Sequence, residues 1–205
     1  MINLYNQDCM VAMAGFDDNQ FDLAIVDPPY GIGMAGGKWG NSKTDFKNFA
    51  GNDESIPQPE YFEQLIRVSK NYIVWGGNYM TENLPPKSCF IVWDKVQPQE
   101  FTMAMAELAI TSFDSPAKIF KQRIVGANKN GKIHPTQKPV KLYEWLLMNY
   151  AKEDDKILDT HLGSGSIAIA CHNLGYDLTG YEIDTEYYEA ATKRLKQHQS
   201  QIRMF

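Results

Sequence analysis

Asp27-Pro28-Pro29-Tyr30 places one carboxylate and one aromatic ring on a stiff stretch of backbone. The apolar run before it, Phe21-Asp22-Leu23-Ala24-Ile25-Val26, reads as a buried parallel strand. Two consecutive prolines cannot extend a strand's hydrogen-bonded ladder, so the chain must leave the sheet there. The acid and the ring are thereby handed to the carboxyl edge of a sheet, where open α/β folds bind ligands. Alone, the tetrapeptide also fits a strand that prolines simply stop.

A second group, Leu158-Asp159-Thr160-His161-Leu162-Gly163-Ser164-Gly165-Ser166, reads as a strand end, a glycine turn and a helix start. Glycine lets backbone approach a ligand closely, and a helix amino terminus favours an anion. Glu182 ends the next strand 17 residues after Gly165, roughly where a nucleotide-binding βαβ unit keeps its ribose-hydroxyl acceptor. The pair suggests a bound nucleoside. Gly163 to Ala168 also fits a dehydrogenase's dinucleotide pattern, but only 37 residues follow, too few for the sheet such an enzyme needs.

Elements that could position these groups alternate along the chain. Strands are expected at Asn3–Asn6, Phe21–Val26, Tyr72–Trp75, Phe90–Trp93, Glu107–Phe113, Lys156–Asp159 and Asp177–Glu182. Helices are expected at Met10–Phe16, Pro59–Lys70, Lys141–Ala151, Ile167–Asn173 and after Asp184, with Leu142, Trp145, Leu146 and Met148 or Tyr150 turned inward in the third. The strand at Glu107 follows only a short link and is expected to run antiparallel. This alternation predicts an α/β domain with a mostly parallel sheet. A glycine-rich stretch at about 31–55 reads as a mobile loop, and Asp114–Ile133 as an irregular basic stretch.

The 205 residues make one domain, 43% hydrophobic and 22% charged, as in ordinary soluble proteins. No bilayer-length apolar stretch and no signal peptide is evident, so a cytoplasmic protein without a membrane partner is expected. Cys9, Cys89 and Cys171 are scattered and odd in number, which argues against a disulfide framework or a metal site. The net charge is −5, yet Ser115–Tyr143 holds seven basic residues and no acid, leaving −12 on the remainder. Such a stretch suits phosphate contact or a solvated loop.

Asp27-Pro28-Pro29-Tyr30, His134-Pro135-Thr136-Gln137-Lys138-Pro139 and Asp159 to Ser166, in this order, resemble the amino-directed DNA methyltransferases, specifically their permuted β group. The resemblance runs from Asp8 to about Glu182. It implies the S-adenosylmethionine-dependent methyltransferase (Rossmann-like) fold, seven strands with one antiparallel, in a single domain over 1–205. In that fold the first strand and the Asp177 strand are sheet neighbours. By resemblance, Asp27, Pro28, Pro29 and Tyr30 are catalytic. Asp8 and Cys9 hold the cofactor adenine, and Glu182 its ribose. Asp159, Gly163 and Gly165 surround the methionine end, near Thr136, Gln137 and Lys138. Lys118, Lys121, Arg123, Lys129 and Lys132 form a small DNA-contact insertion at about 114–133. His134 could be a ligand contact or a turn residue. Double-stranded DNA is the implied substrate; a homodimer and a companion restriction endonuclease stay open.

The chemistry fits these residues. An exocyclic amine is a poor nucleophile, because its lone pair is delocalised into the ring. A fixed Asp27 carboxylate and the Pro28 carbonyl can accept its two N–H bonds and favour a pyramidal nitrogen. Tyr30 would stack on a base flipped from the duplex. By the same resemblance, aspartate at the first position leans towards adenine N6 over cytosine N4, where the family more commonly has serine. Thr160 and His161 stand where the family commonly has proline and an aromatic, and Ser166 where it has threonine. A catalytically degenerate DNA- and cofactor-binding subunit is the alternative of a different class. Lys95, Gln97, Gln99 and Glu100 could also reach bases or form a solvent loop.

Overall fold

The computed structural model describes residues 1–33, 53–98, 100, 104–123, 133–134 and 136–201. Strand β2 (Phe21–Val26) shows how its sequence selects its place. Leu23 and Ile25 point into one core and Ala24 and Val26 into another, so both faces are buried, as in the centre of a parallel sheet. β3 (Ser69–Trp75) repeats the pattern, with Ile73 and Trp75 on one side and Tyr72 and Val74 on the other.

Six further strands complete the sheet: β1 (Ile2–Asn6), β4 (Phe90–Asp94), β5 (Ala106–Thr111), β6 (Lys118–Lys121), β7 (Lys156–Asp159) and β8 (Asp177–Glu182). Their order is β1-β8-β7-β2-β3-β5-β4-β6. Only β5 runs against the rest, pairing antiparallel with β3 and β4. β1 lies parallel to β8, Ile2 opposite Leu178 and Asn6 opposite Glu182, so the first and last strands are neighbours as expected.

Helices cover both faces. α3 (Val140–Tyr150), α4 (Ser166–Leu174) and α5 (Thr185–Gln199) pack on one core. α1 (Cys9–Met13) and α2 (Pro59–Val68) pack on the other. Proline opens α2 without losing a bond, and the Asp184 carboxylate caps α5 by accepting from the amides of Glu186 and Tyr187.

Three expectations are corrected. The sheet has eight strands, because Lys118–Lys121, within the stretch read as irregular, pairs parallel with β4 at the sheet edge. Its alternation of Lys, Ile, Phe and Lys is too short and too charged to register as a strand. α2 stops at Val68, and Ser69 already pairs with Phe21. In α3 Leu142, Tyr143, Leu146 and Leu147 are buried, Trp145 and Tyr150 pack half-buried against the same core, and Met148 is 63% exposed. The loop expected at 31–55 lies mostly outside the described residues, as do Lys129 and Lys132.

Candidate active site

The carboxyl edge of the sheet brings the chemistry together. β2 delivers Asp27, β7 ends in Asp159, β8 ends in Glu182, and β4 leads to Lys95. β5 is reversed, so its beginning lies at this edge and adds Glu107. β7 and β2 are adjacent and parallel, and the connections leave them in opposite directions. That is the switch point where α/β sheets open a crevice.

Both oxygens of Asp27 are engaged. Oδ1 accepts the Tyr30 hydroxyl at 2.6 Å and Oδ2 the Lys138 ammonium at 2.5 Å. Lys138, 2% exposed, also donates to the Tyr30 hydroxyl at 3.1 Å and lies 3.1 Å from Glu107 Oε2. Glu107 Oε1 pairs with Lys95 at 2.6 Å. The ammonium of Lys138 sits 5.3 Å from the Trp75 ring centre and 5.6 Å from that of Tyr30, within cation–π range. Four buried or half-buried charges of alternating sign thus run from Asp27 to Lys95. Burial pushes Asp27 above the ordinary carboxylate range, opposed by Lys138. Burial would lower Lys138, but Asp27 and Glu107 outweigh it and hold the ammonium charged. Burial would raise Glu107, but Lys138 and Lys95 hold it down.

The tetrapeptide is clamped from behind. The amides of Tyr30 and Gly31 both donate to Asp53 Oδ1, at 2.6 and 3.0 Å, and Gly33 donates to the Asp53 carbonyl at 2.7 Å. The Tyr30 ring lies on Gly76, whose φ is +65° and where a Cβ would fall 2.2 Å from the ring. Tyr79 stacks on Tyr30 with centroids 5.5 Å apart and planes 20° apart.

The second half of the site is built on the glycine turn. Gly163 and Gly165 have φ of +51° and +67°, the left-handed region that glycine tolerates. The Gly163 amide donates to Glu182 Oε2 at 2.7 Å and the Asp184 amide to Oε1 at 3.0 Å. Arg194 donates to the Ser164 carbonyl and to Ser166 Oγ, and Ser166 Oγ donates to the Lys138 carbonyl at 2.7 Å. Serine at 166 therefore ties the turn to the hexapeptide. No side chain caps α4, so its first amides face the turn. Asp159 is buried, and Oδ1 accepts the His161 amide at 3.0 Å. Burial pulls its carboxyl up to about 8; Asp27 and Glu182 add to that rise, against the His161 bond.

The remaining expected residues take defined places. The Asp8 side chain caps α1 through the Met10 amide at 2.8 Å. Burial pushes the Cys9 thiol up to about 12, so it stays neutral. Gln137 is buried, with Oε1 accepting the Ile133 amide, and the Thr136 hydroxyl lies 3.1 Å from His134 Nδ1. The His134 ring packs on Tyr187 at 4.5 Å. Thr160 Oγ1 links the Tyr61 hydroxyl at 2.7 Å to His161 Nδ1 at 2.9 Å. Burial pushes His161 down to about 4, so the imidazole is neutral.

The hexapeptide sends its lysine to Asp27, bridging the two halves. Of the basic stretch, Lys121 and Arg123 are exposed, Lys121 standing 4.0 Å from Asp94. Lys118 is turned back, donating to Asn149 at 2.9 Å over the Tyr150 ring. Lys95 is buried on Glu107 rather than turned out to solvent. Sequence reasoning missed Glu107, Asp53, Trp75 and Tyr79, and it read Lys95 as a base contact or a solvent-loop residue. The available signal was a lone charge at the start of an apolar strand already expected to be reversed, since a reversed strand brings its first residues to the ligand edge.

Residues 92–193, which contain the hexapeptide and the glycine turn, match a family model described as DNA methylase, of the N6- and N4-directed kind. The type II methyltransferase M.HpaI of Haemophilus parainfluenzae is 27% identical over 228 residues, covering 90% of this chain and 71% of that protein. The crystal structure of the M1.HpyAVI–SAM complex superposes with a TM-score of 0.64 at 21% identity, over 95% of this chain and all of that one. The cytosine-N4-specific PvuII DNA methyltransferase gives 0.62 at 12% identity, over 96% and 90%. The chain belongs to the amino-directed DNA methyltransferases. In this methyltransferase Asp53 is the only described side chain that holds the amides after Pro29. Asp53→Ala is expected to lower stability by about 1.5–3 kcal/mol, the scale of bonds to a charged acceptor, as read by urea denaturation.

Proposed function

We propose that this methyltransferase moves a methyl group from S-adenosylmethionine to the exocyclic N6 of an adenine turned out of double-stranded DNA. The reading rests on Asp27, a half-buried acid at the switch point beside an aromatic ring and across from a glycine turn. Asp27 and the Pro28 carbonyl accept the two amine hydrogens, which favours a pyramidal nitrogen whose lone pair is free to attack. The methylated nitrogen then carries one proton too many, and Asp27 is placed to receive it. The Tyr30 ring offers the stacking face, from which Tyr79 must swing, because 5.5 Å between the two rings leaves no gap for a base.

The donor set suits a cationic nucleoside cofactor. Asp159, Glu182 and Asp27 crowd one edge; burial first, then the charges of Asp27 and Glu182, raise the Asp159 carboxyl, and a cation beside it would favour its ionised form. Bound S-adenosylmethionine supplies a sulfonium-activated methyl group. Asp159 would face its cationic methionine end, Glu182 its ribose hydroxyls, and Asp8 with Cys9 its adenine, while Gly163 and Gly165 let the backbone approach. Aspartate at position 27 favours adenine. Cytosine N4 presents the same kind of amine and is the second reading. Lys121 and Arg123 are proposed phosphate contacts.

Expression in a methylation-free host followed by single-molecule sequencing should reveal N6-methyladenine at a defined site; N4-methylcytosine would select the second reading. Asp27→Ala and the isosteric Asp27→Asn should abolish the mark while leaving cofactor affinity, read by calorimetry, nearly unchanged. Asp159 has the opposite signature. A cation stabilises its ionised form, so its carboxyl titrates lower when the cofactor is bound than in the free protein. Cofactor binding below about pH 8 should therefore release protons, and affinity should climb with pH towards 8. Calorimetry in buffers of different ionisation enthalpy should show this release, and Asp159→Asn should diminish it. Replacing Lys121 and Arg123 by Ala should reduce the slope of log K against log salt by roughly 1 to 2, about 0.9 per lost phosphate contact.

A further inference from the structure

Glu107 has no part in the scheme above, yet it stands one side chain away from the catalytic acid. Lys95 fixes its Oε1 at 2.6 Å. Its Oε2 is buried, makes no hydrogen bond, and lies 3.1 Å from the Lys138 ammonium. That ammonium instead donates to Asp27 Oδ2 at 2.5 Å. With the Tyr30 hydroxyl on Oδ1, Asp27 has neither oxygen free of a protein donor. A target amine finds only the lone pairs those two donors leave, and gains Oδ2 as a full partner when one of the donors yields.

The geometry points to Lys138 as the donor that yields and to Glu107 as what receives it: we propose that Glu107 is a positioning residue for methyl transfer, offering the Lys138 ammonium a second anionic seat. This proposal rests on the methyltransferase reading above. When the amine claims Asp27 Oδ2, the ammonium shifts onto Glu107 Oε2, an acceptor already within reach. Without that seat the shift would strand a charged ammonium in a buried site, which is strongly unfavourable. With it, two carboxylates and two ammonium groups remain balanced throughout. Lys95 keeps Oε2 aimed by holding Oε1, and the rings of Trp75 and Tyr30 flank the ammonium.

The proposal has an electrostatic signature. Asp27 is faced by Tyr30 from its own turn, Lys138 from the segment before α3 and Glu107 from β5. Asp159 from β7, Tyr143 from α3 and Tyr61 from α2 also sense its charge. Glu107 raises the proton affinity of Asp27 and Lys138 lowers it. Glu107→Gln should therefore move the acid limb of the pH–rate profile to lower pH, and Lys138→Met should move it to higher pH. Purely structural damage gives no reason for opposite movements.

The test is single-turnover methyl transfer to unmethylated plasmid DNA across pH, for wild type, E107Q, K138M and the double variant. Lys138→Gln replaces K138M if the methionine variant does not fold. E107Q should slow transfer by about tenfold or more, the scale of one lost hydrogen bond to a charged group, with cofactor affinity unchanged. In the K138M background no ammonium needs a second seat, so adding E107Q should cost no further rate. An equal slowing in both backgrounds, or limbs that move together, would overturn the proposal. The Asp27 carboxyl is also titrated by carbon-13 NMR in the protein without DNA, where E107Q should shift it down and K138M up. A wild type that transfers no methyl group refutes the proposed function separately; the titration still decides, and shifts of the same sign overturn the role of Glu107.

Discussion

The buried pair between Asp27 and Lys138 is the interaction on which the site depends. A proline-stopped strand would otherwise leave its carboxylate in an apolar mouth, where an isolated charge is costly and the group tends to take up a proton. The lysine opposes that uptake and favours the ionised acid. Removing one partner of such a pair typically costs about 3–5 kcal/mol, so neither residue is free to vary alone. The pair also ties three segments together, because the Lys138 carbonyl accepts Ser166 at the start of α4. Strand β2, the hexapeptide and the glycine turn are thereby held in one geometry.

That pair does not stand alone. Lys138 has a second acid beside it, Glu107, and Glu107 has a second base, Lys95. The balance follows from topology. β5 is the one reversed strand, so its opening residues reach the edge where every other strand delivers its last ones. A parallel strand in that place would have brought Thr111 there and left the lysine with one anionic partner.

The opposite side of the switch point carries the reverse imbalance. Asp159 and Glu182 converge beneath a turn whose glycines leave room for backbone contact, and Glu182 meanwhile satisfies the amides of Gly163 and Asp184. A cation placed there would relieve the crowding of Asp159. The Thr160–His161 departure does not disrupt this turn, since the two side chains satisfy each other and Tyr61.

The alternation of apolar runs and helical spacings determined by itself the sheet, its helices and the reversed strand, because those patterns follow from local geometry and burial on two faces. It also determined where Asp27 and the glycine turn leave the sheet, since prolines and glycines restrict or free the backbone wherever they stand. The edge strand β6 was hidden, because four half-exposed residues owe their strand conformation to β4 rather than to their own pattern. Tertiary structure alone decided where Lys138 points, that Glu107 and Lys95 join it, and that Asp53 grips the tetrapeptide from 23 residues away. Long flexible side chains carry no spacing signal for their partners. Their pairing is set by which strand ends meet at the sheet edge, and that meeting exists only after the chain has folded.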